Sequence, residues 1–379
     1  MTTATDNGEK QWRPVDPMRH HRERGWDYRG RAIYHFTLPV EGRYALFGTL
    51  EGESAETAYV RLNAYGQRVC QMLGGLAQFY KAKGYALKVL ATMVMPDHVH
   101  LVIQVLEPLP RSIGAVVRGF KSGCTKVYKE EFYYSGENAT GVHGEAPVHF
   151  ARIFTGRGSI WQQDAAYYHE RILHAPGQLR RMIDYVKDNP RRLWLKRHNP
   201  DLFKLCRRTE VAGLSFTSMG NHFLLNYPDV QTVEMTRSAT NEQIQERMRS
   251  AQAAADNGAV TYTAAVSKGE QIIARSLREQ GFPLVILLND GFPKEGSPHE
   301  RYYKPGGVYF EACSKGQLLL LEPTEQAFHD ASIQKAVEEA LRRKAEERHY
   351  CYAPIPITSQ RYRFMALNEM SKRLSSQTE

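Results

Sequence analysis

Hydrophobic and polar residues alternate in several short segments of the chain, which is the spacing of β-strands. The clearest segment is His98–Val105, in which every second residue from Val99 onward is apolar. Successive side chains on a strand point to opposite faces. One face of this strand is therefore predicted to be core, and the other face begins with His98 and His100.

Other segments carry hydrophobic residues at every third or fourth position, which is the spacing of amphipathic helices. Within the first 200 residues these segments predict helices at 57–83, 111–132 and 178–190. Further strands are predicted at 31–40, at 85–93 and within 159–173, and the Gly-rich segment 134–150 is predicted to be irregular. The predicted elements follow the order β-α-β-β-α-β-α.

Strands and helices alternate beyond residue 197. The strands are predicted at 214–225, as a strand pair or one bent strand, and at 260–265, 284–288 and 318–322. The helices are predicted at 242–256, 268–280 and 332–348. This alternation predicts a second domain, of α/β class with a parallel sheet. The chain is thus predicted to comprise a basic N-terminal arm (1–27), a first domain (28–200) and an accessory domain (210–379).

Composition is consistent with two domains and a polyanionic partner. The chain has 379 residues, and its 50 Lys and Arg against 41 Asp and Glu give a net charge of +9. Its five cysteines are scattered without a C-x-x-C spacing, which favours a reducing compartment. No apolar run approaches the ~20 residues of a membrane span, and the N-terminus lacks a signal core. We expect a cytoplasmic protein without membrane contact.

The two histidines of the alternating strand are candidate metal ligands. Their backbones lie ~6 to 7 Å apart on one strand face, so both imidazoles can converge on one divalent ion. The alternative is an exposed polar strand face without a ligand, which is the commoner origin of an isolated H-x-H pattern.

Tyr185 is a candidate nucleophile on the predicted helix 178–190. The inward face of this helix is formed by Leu179, Met182, Ile183 and Val186. Tyr185 and Asn189 lie one turn apart on its flank, and Pro190 disfavours helical geometry at Asn189, so the helix is expected to end there. Alternatively, Tyr185 is a residue at the edge of the core whose hydroxyl is hydrogen bonded.

Three motifs together resemble those of the HUH single-tyrosine transposases, and in particular the REP-associated tyrosine transposases. They are Met95-Pro-Asp-His-Val-His-Leu-Val, the pair Trp161-Gln162, and Asp184-Tyr-Val-Lys-Asp-Asn-Pro190. The resemblance covers about residues 28–200. It implies a four-stranded antiparallel sheet with packed helices, ferredoxin- or RRM-like. Ala165-Ala166 separates Trp161-Gln162 from Tyr167 and Tyr168 more widely than in the family, which leaves the strand register there open.

The resemblance also implies the chemistry. His98, His100 and Asn189 would hold Mg²⁺ or Mn²⁺, and Tyr185 would attack a DNA phosphodiester to give a 5′-phosphotyrosine. The substrate would be single-stranded or hairpin DNA, bound by a monomer or by a homodimer that exchanges tyrosines. Phosphate contacts are predicted for basic residues on the helices, and the alternative is a solvated face. These residues are Arg118, Lys121, Lys126 and Lys187.

Three other functions remain open from the sequence. They are a non-catalytic DNA-binding protein derived from a transposase, an HUH replication initiator or relaxase, and a metal-dependent hydrolase that uses water. The segment 264–275 weakly resembles the Rossmann-like domain of DNA-processing proteins. No G-x-G-x-x-G fingerprint is present, so a bound dinucleotide is not expected.

Overall fold

The chain divides into two compact units, with the boundary between His198 and Asn199. The computed structural model describes residues 23, 25–133, 158–162, 169–293 and 307–376. The predictions for most of the arm 1–27, for the segment 134–150 and for residues 165–168 lie outside these ranges. Within them, no helix combines the length and the apolar character that crossing a membrane requires.

The N-terminal unit is an α+β fold built on a four-stranded antiparallel sheet, as predicted. Its strands are β1 (Ile33–Pro39), β2 (Gly48–Glu51), β3 (Tyr59–Leu62), β4 (Leu87–Met95), β5 (His98–Val105) and β6 (His169–Ile172). Its helices are α1 (Ala64–Gly74), α2 (Leu76–Lys81), α3 (Ile113–Val127), α4 (Gln178–Lys187) and α5 (Asn189–His198). The main sheet has the order β4-β5-β1-β6, and β2 and β3 form a separate hairpin.

The main sheet is covered on both faces. On one face Val99, Leu101 and Ile103 of β5 pack with α1 and α3 in the larger core, which also contains Trp161. On the other face Val102 packs against α4 in a smaller cluster. The alternation in β5 therefore separates a wholly apolar face from the face that carries the histidines, as the sequence predicts.

The prediction of one helix at 57–83 is wrong at its start, and the rest of this segment forms two helices, α1 and α2. Tyr59–Leu62 forms β3, with alternating exposure along the strand. The helix begins only after Asn63, whose side chain accepts a hydrogen bond from the amide of Gly66 and so caps α1. A side chain at Gly66 would place its Cβ 2.0 Å from the carbonyl oxygen of Phe47, so this crossing requires glycine.

The predicted helix 178–190 ends earlier, and a second helix follows it directly. α4 ends at Lys187, and α5 starts at Asn189. Pro190 lies in the first turn of α5, where a missing amide hydrogen removes no helical hydrogen bond. The Asn-Pro pair therefore ends one helix and begins another.

The C-terminal unit is built on a six-stranded mixed sheet. Its strands are β7 (Cys206–Val211), β8 (Leu214–Gly220), β9 (Val230–Thr232), β10 (Val260–Thr263), β11 (Leu284–Leu287) and β12 (Leu318–Pro323). Its helices are α6 (Pro200–Phe203), α7 (Asn241–Asp256), α8 (Lys268–Glu279), α9 (Gly307–Ser314), α10 (Glu325–Phe328), α11 (Ala331–Glu347) and α12 (Gln360–Ser375). The strand order is β7-β8-β12-β11-β10-β9.

Strands β9 to β12 are parallel, whereas β8 runs antiparallel to both β12 and β7. The prediction of a purely parallel sheet is therefore wrong at the β7–β8 edge, because the short Ala212-Gly213 turn joins neighbouring strands as a hairpin. At the start of α8 the buried carboxylate of Glu270 accepts hydrogen bonds from the amides of Met235, Val266 and Ser267. An acidic side chain of the protein thus uses amides that could otherwise bind an anion.

Candidate active site

The imidazoles of His98 and His100 converge on the sheet face against which α4 packs. Both belong to β5, which lies between β4 and β1, and they are only 3% and 1% exposed. Their Nε2 atoms are 3.1 Å apart, and their ring planes are at 88° to each other. Because the two residues are separated by one position on a strand, their side chains leave the sheet on the same face.

The ring nitrogen of His98 that faces away from His100 is hydrogen bonded to the preceding residue, Asp97. Nδ1 of His98 lies 2.5 Å from Oδ1 of Asp97, in the turn between β4 and β5. The other carboxylate oxygen of Asp97 accepts a hydrogen bond from Arg43 at 3.3 Å. An ionised carboxylate only accepts hydrogen bonds, so the neutral ring of His98 has its proton on Nδ1 and a lone pair on Nε2.

The ring nitrogen of His100 that faces away from His98 contacts two side chains of β1. Its Nδ1 lies 3.1 Å from Oγ1 of Thr37 and 3.1 Å from Nε2 of His35. Thr37 is the residue directly opposite His100 in the β1–β5 pairing. The rings of His35 and His100 are stacked, with centroids 5.2 Å apart.

Tyr185 lies against these histidines from α4. Its ring stands edge-on to His100 at a centroid distance of 5.5 Å and edge-on to His35 at 6.2 Å. Burial raises the pKa of the Tyr185 hydroxyl above its usual value. The positive charge of Arg192 and a side-chain hydrogen bond of Asn189 oppose this rise, as do the charges of Arg43 and Arg171.

Two residues of α5 contact Tyr185. The guanidinium carbon of Arg192 is 5.3 Å from the centre of the Tyr185 ring, and Arg192 is only 8% exposed. The side-chain amide of Asn189 donates a hydrogen bond to the backbone carbonyl of Tyr185 at 2.8 Å. Asn189 is therefore tied to the candidate nucleophile, and its role as a metal ligand stays a prediction.

The histidine pair fits a divalent ion. At a metal–nitrogen distance of about 2.1 Å, two neighbouring ligands of an octahedral ion lie about 3 Å apart. The 3.1 Å between the Nε2 atoms of His98 and His100 matches this spacing. In the part of the chain that the structure describes, no group of three or more His, Cys, Asp or Glu side chains is placed to hold a metal. Asn189, which has an amide oxygen, stays the candidate for a third protein ligand.

The basic residues predicted to contact DNA lie on two different faces. Arg118, Lys121 and Lys126 belong to α3, which packs on the sheet face opposite the histidines. Lys121 is buried, and burial lowers its pKa to about 8 despite the nearby charge of Glu41. Lys121 is therefore not on a solvated surface, whereas Arg118 and Lys126 are exposed. Lys187 is exposed on α4, the helix that carries Tyr185.

Several residues of the site were not identified from the sequence. His35 and Thr37 lie on the same face of β1 as the histidines do on β5, and their two-residue spacing is a signal that was available. Arg192 follows Asn189 by three residues, which places the two side chains on one face of α5. That relationship was hidden because the helix was predicted to end at Asn189.

Comparison with known proteins finds similarity only to solved structures, of which two are transposases. No protein-family model matches the chain, and no curated protein matches it. A protein of Deinococcus radiodurans R1, provisionally described as a transposase, is 16% identical with a TM-score of 0.25, covering 44% of this chain and 95% of that one. A REP-associated tyrosine transposase bound to a REP hairpin is 15% identical with a TM-score of 0.26, covering 45% of this chain and 72% of that one. The chain is similar to each over less than half of its own length.

Proposed function

We propose that the protein is a single-tyrosine HUH transposase that cleaves and rejoins single-stranded DNA. The observation that carries this proposal is the meeting of three side chains, two buried imidazoles and a half-buried phenol, in one site. His98 and His100 present two Nε2 atoms 3.1 Å apart, and the ring of Tyr185 stands 5.5 Å from that of His100. The sequence motifs on β5 and α4, which resemble those of this family, supply the same three residues independently.

His98 and His100, with Asn189 as the candidate third ligand, would hold Mg²⁺ or Mn²⁺. When bound, such an ion polarises the non-bridging oxygens of a phosphodiester and offsets the negative charge that builds on them. Imidazole ligands suit Mn²⁺ better than Mg²⁺, so Mn²⁺ should support the reaction at least as well.

Tyr185 is the nucleophile in this proposal. Its hydroxyl oxygen forms a bond to phosphorus and the bond from phosphorus to the 3′-oxygen breaks. The leaving 3′-oxygen takes up a proton from water, so the DNA is left with a 3′-hydroxyl and a 5′-phosphotyrosine. The phenol must lose its proton to water on the way, and burial makes this loss harder. Arg192, 5.3 Å from the ring, favours the phenolate and the developing charge on the phosphate.

The phosphotyrosine retains the energy of the phosphodiester bond. A 3′-hydroxyl can attack it, release Tyr185 and rejoin a strand, so the complete cycle needs no ATP. The DNA partner is proposed to be single-stranded or a hairpin, because a half-buried Tyr185 cannot reach a phosphate that a partner strand covers. Lys187 on the same helix is exposed and is the nearest of the predicted phosphate contacts in sequence.

Formation of a covalent adduct tests the proposal. The full-length protein is incubated with Mn²⁺ and hairpin oligonucleotides labelled at the 5′ or the 3′ end, and the modified peptide is identified by mass. We expect an adduct on Tyr185 that retains the label 3′ of the cut, and none with Tyr185→Phe. Tyr59→Phe is the matched control, because Tyr59 is an exposed tyrosine that hydrogen-bonds to Glu51 away from the histidines.

The adduct assay also separates the other functions. A non-catalytic DNA-binding protein would leave the oligonucleotide intact, and a hydrolase that activates water would cut it without any adduct. An adduct on Tyr167 or Tyr168 would show that the nucleophile is a different tyrosine.

For the C-terminal unit we propose a Rossmann-like accessory domain that binds DNA. The four parallel strands β9 to β12 with intervening helices support this proposal. Removing residues 199–379, the whole of this unit, should leave adduct formation intact and weaken DNA binding. Unchanged DNA affinity in the truncated protein would argue for a purely structural role of this unit.

A further inference from the structure

Two polar side chains of β1 are buried beneath the histidine pair. His35 and Thr37 are 6% and 8% exposed, and both lie 3.1 Å from Nδ1 of His100. Burying a polar group is unfavourable unless it is hydrogen bonded, and apolar side chains would pack on this face more favourably. Their contact with His100 therefore explains why both positions are polar.

The two histidines of the pair are held by partners of different kinds. Asp97, the partner of His98, is a carboxylate that accepts hydrogen bonds and so keeps the His98 proton on Nδ1. A threonine hydroxyl can donate or accept, and Nε2 of a neutral histidine can do either according to its tautomer. The partners of His100 are thus compatible with a proton on either of its nitrogens.

The nature of the 3.1 Å contact between the two Nε2 atoms depends on which nitrogen of each ring carries the proton. With its proton on Nδ1, a neutral His98 presents a lone pair to His100. Without a metal, the contact is a hydrogen bond only if His100 carries its proton on Nε2. His98 and His100 would hold a metal through their Nε2 lone pairs, and this would require the His100 proton to lie on Nδ1.

We propose that His35 and Thr37 are positioning residues that hold His100 with Nε2 toward His98 and allow its proton to move from Nε2 to Nδ1 when metal binds. This inference rests on the proposed metal site. The proton leaves Nε2 and a proton is taken up at Nδ1, with water as carrier, so no net proton is gained or lost. The Thr37 hydroxyl changes from donor to acceptor in the same step by rotating about its Cβ–Oγ1 bond, which needs no further proton.

Binding of Mn²⁺ to the full-length protein, measured from the EPR signal of free Mn²⁺, tests the positioning role. Thr37→Val and His35→Met remove the hydrogen-bonding groups with little change in volume. We expect each to weaken Mn²⁺ binding about 10- to 100-fold, the usual effect of losing a residue that orients a metal ligand. Thr37→Ser and His35→Gln retain a polar atom near the same place and should restore most of the affinity.

Tyr34→Phe is the matched control for these variants. It also removes a buried hydroxyl from β1, but that hydroxyl accepts a hydrogen bond from Trp26 at 3.0 Å and belongs to the apolar core on the opposite sheet face. We expect wild-type Mn²⁺ affinity. Equal losses in Tyr34→Phe, Thr37→Val and His35→Met would overturn the inference, since they would show a general effect on β1.

The same titration distinguishes this inference from the proposed function. If His98→Ala loses Mn²⁺ binding while Thr37→Val and His35→Met bind as the wild type does, the positioning role is wrong and the metal site stands. If His98→Ala binds Mn²⁺ as tightly as the wild type, the proposed metal site is itself wrong.

Long-range ¹H–¹⁵N NMR of the histidine rings tests the tautomer change directly. In the metal-free protein we expect His98 protonated on Nδ1 and His100 on Nε2. Saturation with diamagnetic Mg²⁺ should move the His100 proton to Nδ1. A His100 ring that keeps one tautomer with and without the ion would overturn the proton movement.

Discussion

The ring of Tyr185 stands edge-on to the ring of His100, with the two centroids 5.5 Å apart. The two residues belong to α4 and β5, which are separated by α3 and β6 along the chain. α4 packs on this face of the sheet through Met182 and Val186, which contact Val102 in one small cluster. This packing brings a phenol next to two converging imidazoles.

The histidine pair should be required for cleavage and not for DNA affinity. We expect His100→Ala to abolish adduct formation with Mg²⁺ or Mn²⁺, because one of two converging nitrogens is lost. Its affinity for hairpin DNA should stay close to that of the wild type, since affinity comes chiefly from Lys and Arg contacts with phosphates. Chelation of divalent ions should reproduce the defect in the wild type. Full cleavage by His100→Ala would remove the metal assignment.

We expect Arg192 to allow DNA cleavage by Tyr185 at a lower pH than the phenol alone would permit. Its positive charge lowers the pKa of Tyr185 against the effect of burial, so Arg192→Gln should raise that pKa. Each unit of increase reduces the phenolate fraction at neutral pH about tenfold. We therefore expect slower single-turnover cleavage at pH 7 and a deficit that shrinks as the pH rises toward the pKa of the phenol. Arg192→Lys, which retains the charge, should recover part of the rate.

Arg191→Gln is the control for that pH profile. It removes the same charge from the neighbouring residue, whose guanidinium pairs with Asp188 at 2.6 Å. A deficit of Arg192→Gln that is equal at every pH, or one that Arg191→Gln shares, would argue against an effect on the phenol.

Two roles of Asn189 can be distinguished by substitution. It is either a metal ligand or a residue that supports Tyr185 through a hydrogen bond. Asn189→Asp retains a carbonyl-type oxygen but loses the NH₂ group that donates to the Tyr185 carbonyl at 2.8 Å. A metal ligand should tolerate this change, so we expect Asn189→Asp to bind Mn²⁺ and Asn189→Ala to bind it more weakly. Mn²⁺ binding that is normal in both variants, with cleavage lost in both, would instead assign Asn189 to the support of Tyr185.

We expect the buried side chain of Lys121 to lower the free energy of unfolding near neutral pH. Burial lowers its pKa from 10.5 to about 8, so the folded state disfavours the charged form. The resulting penalty is largest below pH 8 and disappears as the pH rises past 10.5. Lys121→Met should therefore increase the free energy of unfolding by up to about 3 kcal/mol at pH 7, and by little above pH 10.5, in urea titrations.

Lys126→Met provides the comparison on the same helix. Lys126 is exposed and pairs only weakly with Glu130, at 3.8 Å. Its replacement should change stability little at any pH but should reduce the salt dependence of DNA binding if α3 contacts phosphates. A Lys121→Met variant with no pH-dependent gain in stability would contradict the buried charge.

The alternation of residues in β5 was sufficient to place both histidines on one strand face and the apolar residues on the other. This inference needs only the two-residue period of a strand, which local sequence determines. The amphipathic helix that carries Tyr185, and most strands and helices of the C-terminal unit, followed from the same local periodicity. The partners of the site did not, because contacts between β1 and β5 depend on strand pairing and register.

Tertiary structure alone decided which polar residues form the site. Thr37 meets His100 because these two residues are opposite each other in the β1–β5 pairing, 63 positions apart in the chain. Lys121 appeared from its helical position to face solvent, but the packing of α3 buries it. Local sequence sets the direction of a side chain from its own strand or helix, whereas its neighbours, burial and pKa depend on how distant elements pack.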